Sequence, residues 1–363
     1  MNMDLFIGVG EASGDLLASK VVGELLTMKP DLKVGAVAGP HLRSLDIEEL
    51  FQMERLKVMG FIDVIMALPK IAKQFFAIRN KLLDLKPKVV VFVDYPGFHL
   101  RLAKSLRKKG YRGKIIHFVC PTVWAWGKKR IPLMANNLDL LLTLFPFEKE
   151  CFKGTSLDVR YVGHPLAKPI AEFVGSGKFG GMKILGLFPG SRKEEIEKNL
   201  PIQLKVAKRL KESDKELVIV ISAVHPIEAE GAIVVGIEDT YDLMKASHLA
   251  IATSGTATLE LALHGTPTVV NFAIRWLDCL IAQKIFKIDL PFYCIANIVA
   301  GKEVFPEFFG PNLTEEKLLK GAQKLWFEKQ TRQRCLEGCD EVRKSLGVNN
   351  AAKKAAEAIE SYF

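Results

Sequence analysis

Three loops in the 363-residue chain combine glycine, hydroxyl and charged side chains in the order by which a helix start receives a phosphate or a sugar hydroxyl. Residues 8–15, GVGEASGD, follow an apolar run. Gly8, Gly10 and Gly14 are spaced G-x-G-x-x-x-G, and Val34–Gly39 offers no acidic residue for a ribose, so the loop fails as a dinucleotide fingerprint. Glu11, Ser13 and Asp15 at such a start suit a hydroxylated substrate; Ser13 or Asp15 simply capping the helix is the plainer alternative. In residues 187–196, LFPGSRKEEI, Pro189 and Gly190 shape a tight turn and Ser191 can cap. The free N–H groups of the next helix and the planar charge of Arg192 would hold a diphosphate. An arginine before a first helical turn opposes the helix dipole unless an anion joins it; pairing with Glu195 is the alternative. Residues 252–260, ATSGTATLE, repeat the pattern. Ser254, Gly255, Thr256 and Thr258 bring hydroxyls and bare amides to a second helix start, and Glu260, one turn further, can accept from ribose hydroxyls. No D-x-D motif accompanies them, so the diphosphate charge falls to Arg192 and the helix termini, with no metal indicated.

These loops need strands to carry them. Leu5-Phe6-Ile7, Val34–Ala38, Val89–Val93, Lys114–Val119 and Leu140–Leu144 read as buried parallel strands separated by amphipathic stretches. Around 165–182 Pro165, Pro169, Gly175, Gly177, Gly180 and Gly181 crowd together as a linker. The alternation then restarts with Ile184–Phe188, Leu217–Ser222, Leu249–Ala252 and Thr268–Phe272, with helices beginning near Glu194, Thr240 and Thr256. The expected class is α/β, two Rossmann-like domains facing a cleft, at 1–168 and 169–340. A capped C-terminal helix lies within 341–363, with Ala352, Ala355, Ile359 and Phe363 on one stripe. The stretch 223–238 is short for a full βα unit, so a strand or helix is missing there.

Hydrophobic residues make up 49% and charged residues 25%, which excludes disorder along most of the chain. Fifty-one basic against 41 acidic residues leave a net charge of +10 and point to an acidic partner: nucleic acid, an anionic membrane face or a phosphorylated substrate. Six scattered cysteines without a C-x-x-C pair suit a reducing compartment, and Cys335 and Cys339 sit one helical turn apart. The start has no basic n-region, and uncharged stretches such as 246–259 end at 14 residues, short of the ~20 a spanning helix needs. His117, His164, His225, His248 and His264 stand singly, without ligand spacing; His164 is placed to shape a turn or touch a substrate. Trp124 and Trp126 either stack on a sugar or pack in a core.

GEASGD (10–15), VMGFIDV (58–64), VDYPGFHLRLA (93–103), CPTVWAWGKKR (120–130), PFE (146–148), VGHP (162–165), FPGSR (188–192), TSGTATLE (253–260) and NIVAG (297–301) together resemble the motif series of the lipid-A-disaccharide synthase family, in order and over most of the chain. The resemblance implies a two-domain GT-B glycosyltransferase that is inverting and needs no metal or other cofactor. Its donor would be UDP-2,3-diacylglucosamine and its acceptor 2,3-diacylglucosamine 1-phosphate, giving a β-1,6-linked disaccharide 1-phosphate and UDP. The enzyme would be cytoplasmic, peripheral on the inner face of the cytoplasmic membrane, and a monomer or a homodimer exchanging C-terminal helices. The 1–168 domain would take the acceptor and 169–340 the UDP-sugar, with Gly190, Ser191, Arg192, Ser254, Gly255, Thr256, Thr258, Glu260 and Asn297 on the donor. Asn297 matches the family's L-P-N-[IL], with Ala296 replacing the proline.

Glu11, Asp15 and Asp94 qualify by position as the base that takes the acceptor proton. Many members carry P-D-F-N where this chain reads Pro96-Gly97-Phe98-His99, so Asp94 or His99 substitutes for that carboxylate, or the role falls to Glu11 or Asp15. Ser13 and Trp124 are candidate acceptor contacts. Residues 59–83 place Ile71, Phe75, Ile78 and Leu82 on one stripe, with Phe76 beside it and Lys70, Lys73, Arg79 and Lys81 around it. Alone this is a core-facing helix; with acylated substrates, Phe75 and Phe76 become candidates for holding acyl chains or entering a lipid interface. Trp276–Phe292 is a second candidate. The rivals are a UDP-N-acetylglucosamine 2-epimerase-like enzyme and a non-catalytic sugar-nucleotide-binding protein of the same fold. Nucleic acid has no interleaved aromatic and basic motif to meet it.

Overall fold

The computed structural model describes residues 3–56, 61–273 and 290–363, with the side chains of 61–68 outside that description. Cys279, the segment Trp276–Phe292 as far as residue 289, and the side chains of Phe61, Ile62 and Ile65 therefore lie outside the described residues. The chain forms two compact units, 1–165 with 349–363, and 166–348.

In the first unit the order is β1 (Leu5–Gly8), α1 (Ala12–Met28), β2 (Val34–Ala38), α2 (Pro40–Arg43), β3 (Glu48–Gln52), α3 (Phe61–Leu85), β4 (Val89–Val93), α4 (Pro96–Lys108), β5 (Lys114–Phe118), α5 (Arg130–Ala135), β6 (Leu140–Thr143) and β7 (Asp158–Tyr161). All seven strands pair in parallel, in the order β3-β2-β1-β4-β5-β6-β7. The apolar runs of β2 (VGAVA) and β4 (VVVFV) are buried along their whole length, as a sheet covered on both faces requires.

The second unit holds α6 (Ala167–Ala171), β8 (Lys183–Phe188), α7 (Lys193–Ser213), β9 (Leu217–Ser222), β10 (Ile233–Val235), α8 (Thr240–Ala246), β11 (Ser247–Thr253), α9 (Thr256–His264), β12 (Thr268–Phe272), α10 (Ile295–Ala300), β13 (Glu307–Phe309), α11 (Glu315–Phe327) and α12 (Lys329–Leu346). Its parallel sheet runs β10-β9-β8-β11-β12-β13. Both orders reverse direction after the third strand, so each sheet has a switch point, between β1 and β4 and between β8 and β11, where open α/β sheets receive ligands. The short 223–238 stretch keeps its strand, β10, and has no crossover helix before it.

The division between units differs from 168/169 and 340/341. Residues 341–346 finish α12 in the second unit, and Gly347 ends that helix. Chain 349–363 returns to the first unit as α13 (Ala351–Glu360), whose N-cap Asn350 accepts from the Lys353 N–H at 3.1 Å. Buried Ala355, Ala356 and Ile359 then pack α13 on the core that carries α1. Cys335 and Cys339 lie buried on α12.

Candidate functional site

In the second unit the loops after β8 and β11 flank the switch point and wall a cavity of about 550 Å³. Gly190, Ser191 and Glu195 line one side, and Thr253, Ser254, Gly255, Thr256 and Glu260 the other. Neither N-cap side chain, Arg192 before α7 or Gly255 before α9, closes its own helix start, but at α7 the Glu195 carboxylate reaches back and accepts from the Arg192 N–H at 3.4 Å. The turn at Gly190 and Ser191 and the α9 start at Gly255 and Thr256 thus face the cavity with backbone and hydroxyl groups of the kind that receive an anion. Gly190 has φ +111, and a Cβ there would stand 2.8 Å from Glu195 Oε2, so the turn needs glycine. Further in, the Tyr241 hydroxyl donates to Glu260 Oε1 at 3.1 Å, and burial raises the Glu260 carboxyl above its ordinary range. The hydroxyls of Ser222 and Thr240 pair at 2.7 Å, and Phe173, Val224 and Ile237 supply apolar wall. Those five residues and Tyr241 escape a search for glycine-rich loops, because they enter the cavity from other elements.

Two donor-site expectations are corrected, at Thr258 and Asn297. Thr258 is fully buried and donates to the Gly255 carbonyl at 2.8 Å, because it falls on the core face of α9. Asn297 is also fully buried: its amide donates to the Phe305 carbonyl at 2.8 Å and its oxygen accepts from the N–H groups of Val304 and Phe305 at 2.8 and 2.9 Å. With both ends spent on the chain before β13, it has nothing left for a nucleotide. Arg192 is exposed outside the cavity wall and takes the local pairing, Nη1 to Glu195 Oε1 at 3.2 Å.

In the first unit the loops after β1 and β4 flank the other switch point. They are locked together, since a Cβ on Gly10 would stand 2.4 Å from the Tyr95 ring. Asp94 and Tyr95 both have left-handed backbone, φ 50 and 49, and Val119 at the end of β5 has φ 76. Three non-glycine residues in that region at one sheet edge store strain of the kind functional sites hold. The Asp94 carboxyl is half-buried and raised above its ordinary range by burial. Glu11 and Ser13 are exposed at the start of α1, where Glu11 makes no side-chain cap.

Asp15 and His99 leave the list of bases. Asp15 is fully buried and accepts from the N–H groups of Gly39 at 2.9 Å, His41 at 2.7 Å and Leu42 at 3.3 Å, so it caps α2, not α1. His99 is buried, stacks on Phe92 with ring centroids 4.8 Å apart, and donates from Nδ1 to the Asp94 carbonyl at 2.7 Å. Burial pushes it down to about 4. It braces the turn that presents Asp94. Trp124 packs edge-on against Phe147 with its Nε1 buried, so it is chiefly a packing residue; Trp126 is 45% exposed with Arg130 over its ring.

On α3, Ile78 and Leu82 are buried and Ile71 and Phe75 pack on the core, which removes Phe75 as a lipid contact. Phe76 is 51% exposed under the Arg79 guanidinium, flanked by exposed Lys73. Among the described residues no helix is long and apolar enough to cross a membrane.

Two parallel sheets in this strand order, each with loops at a switch point, define a two-unit Rossmann-like α/β protein. The glycotransferase of kitacinnamycin superposes with a TM-score of 0.65 at 12% identity, covering 100% of this chain and 99% of that one, which places the chain in the GT-B fold. The family model for lipid-A-disaccharide synthetase matches residues 5–360, and the chain belongs to that family. The lipid-A-disaccharide synthase of Chlamydia pneumoniae is 37% identical over 322 residues, 84% of this chain and 53% of that protein. That of Anaeromyxobacter dehalogenans is 32% identical over 372 residues, 98% of this chain and 96% of its own length. The chain thus spans about half the length of the chlamydial relative.

Proposed function

We propose that this chain is an inverting glycosyltransferase that condenses UDP-2,3-diacylglucosamine with 2,3-diacylglucosamine 1-phosphate, releasing UDP and a β-1,6-linked disaccharide 1-phosphate. The cavity between the loops after β8 and β11 in the second unit, which precede the α7 and α9 helix starts, carries the assignment, and family membership supports it. The uridine diphosphate lies across the starts of α7 and α9, with the ribose toward Glu260. Breaking the anomeric C–O bond leaves charge growing on the diphosphate, where fixed N–H dipoles stabilise it most. The acceptor hydroxyl attacks the anomeric carbon from the opposite face as a base takes its proton. Asp94 is that base: with Gly97 in the place of the family's aspartate, it is the carboxylate of the strained turn, and burial makes it more basic than an exposed one. Exposed Glu11 and Ser13 orient the acceptor beside it. The acyl chains of the proposed substrates and the net charge of +10 support work at an anionic lipid surface, the inner face of the cytoplasmic membrane, with Phe76 at the interface.

Incubation with both diacylated sugars should release UDP in step with disaccharide 1-phosphate. UDP binding without turnover would leave only the non-catalytic alternative, and turnover of unacylated UDP-N-acetylglucosamine alone would favour the epimerase-like one.

A further inference from the structure

Beneath the cavity, where α7 crosses the sheet, stand three side-chain amides. Asn199 is 1% exposed and Gln203 and Asn271 are 0% exposed. Helix-on-sheet contacts are ordinarily apolar, and burying amides there is costly unless they are hydrogen-bonded. These are joined in a chain, in which Gln203 Oε1 alone has no partner among the described residues. Asn199 Nδ2 donates to the Glu195 carbonyl at 2.8 Å, and Asn199 Oδ1 accepts from Asn271 Nδ2 and from the Ala273 N–H, both at 2.9 Å. Asn271 Oδ1 accepts from Gln203 Nε2 at 2.8 Å, and that nitrogen lies 3.5 Å from both the Thr253 hydroxyl and the Phe188 carbonyl. The chain ends of β8 (Phe188), β11 (Thr253) and β12 (Asn271) are thereby tied to the first turns of α7. The Ser254 N–H adds a bond to the Asn271 carbonyl at 3.1 Å. One end of the chain thus meets the Glu195 carbonyl, on one wall of the cavity, and the other reaches Thr253, on the opposite wall, while Ser254 is tied through the backbone of Asn271.

Well-packed apolar residues at these three positions would hold the layers together about as well. Apolar contacts are non-directional, however, and do not fix the register of one loop against the other as directional hydrogen bonds do.

We propose that Asn199, Gln203 and Asn271 are positioning residues that set the spacing between the α7 and α9 helix starts, and so make the cavity select a nucleoside diphosphate over the monophosphate. The proposal rests on the sugar-nucleotide assignment above and adds its means of discrimination. A diphosphate engages both helix starts at once and is sensitive to their separation. A monophosphate engages one and is not.

Binding of UDP and of UMP to the full chain, measured by calorimetry, tests it. Gln203→Met keeps length and bulk without the amide. It should weaken UDP roughly tenfold, the fold-change of about one buried hydrogen bond, and leave UMP within about twofold. Asn199→Ala should do the same, and the double variant should lose little more than either single one, since both break one chain. If Gln203→Met loses cooperative thermal unfolding, Asn199→Ala carries the test. Equal losses for UDP and UMP, or unchanged UDP binding in a folded variant, would overturn the proposal. A wild-type chain that binds neither nucleotide would overturn the cavity assignment instead.

Discussion

Asp15 and Asp94 stand at the same carboxyl edge of one sheet with opposite surroundings. Asp15 gives its oxygens to three N–H groups of the α2 start, whereas Asp94 is left half-buried at a strained turn. Asp15→Ala should therefore cost about 2–4 kcal/mol of stability, read from urea unfolding, by stranding buried donors. Asp94→Asn should keep the urea midpoint and lower turnover on the order of a hundredfold or more; a stable, fully active Asp94→Asn would move the base to Glu11. The buried histidines make a second residue-scale prediction. Burial holds His99 and His164 at about 4 and His117 at about 3, below the ordinary 6.5. Between those values and 6.5 the unfolded chain binds protons that the folded chain refuses. Their stabilisation is thus complete above pH ~6.5 and is lost as pH falls toward 4. Glu148, raised to about 7 by burial, acts with the opposite sign, since the folded chain keeps its proton longer as pH rises from 4.5. Among the described residues neither nitrogen of His117 has a partner within normal hydrogen-bond geometry, so His117→Leu should shrink the drop in urea midpoint between pH 7 and pH 5; an unchanged drop would exclude His117 as its source.

At the scale of elements, the two helix starts of the second unit place contrasting demands on glycine. Gly190 needs its positive φ and lies against Glu195, whereas a Cβ on Gly255, whose backbone is extended, would meet open space on the cavity side. Gly190→Ala should thus destabilise the fold by roughly 1–3 kcal/mol. Gly255→Ala should leave the melting temperature unchanged and still weaken UDP, because the added methyl stands where the phosphates approach. Calorimetry beside thermal unfolding separates the two, and a Gly255→Ala protein that binds UDP as wild type would argue against this placement. Elements also show which strands a sequence conceals. β3, β7, β10 and β13 went unread, and each is an edge of its sheet. Edge strands are partly solvated, as in the DVRY of β7, so they lack the unbroken apolar runs of the strands between them.

For the whole molecule, the charge of +10 and the exposed Phe76 bear on lipid. Phe76→Ser should reduce co-sedimentation with anionic vesicles while leaving the fold intact, and wild-type binding should weaken as salt screens the basic surface. Phe75→Ser should instead destabilise the first unit, since Phe75 packs edge-on against Phe98 with ring centroids 5.5 Å apart. Undiminished vesicle binding by Phe76→Ser would exclude this helix from the interface.

Local patterns alone determined the alternation of buried strands and helices, the three glycine-rich loops and the family. Val/Ile runs, turn glycines and hydroxyls act within a few residues of where they stand. Tertiary structure decided what each polar group is spent on. Asp15 meets its first partner 24 residues away at Gly39, and Gln203 and Asn199 meet Asn271 at separations of 68 and 72. On α9 the helical twist alone turns Thr258 into the core and Glu260, two residues on, toward the cavity. A residue type states which bonds a side chain can make; only the packed fold places the partners that take them up, because those partners come from distant stretches of chain.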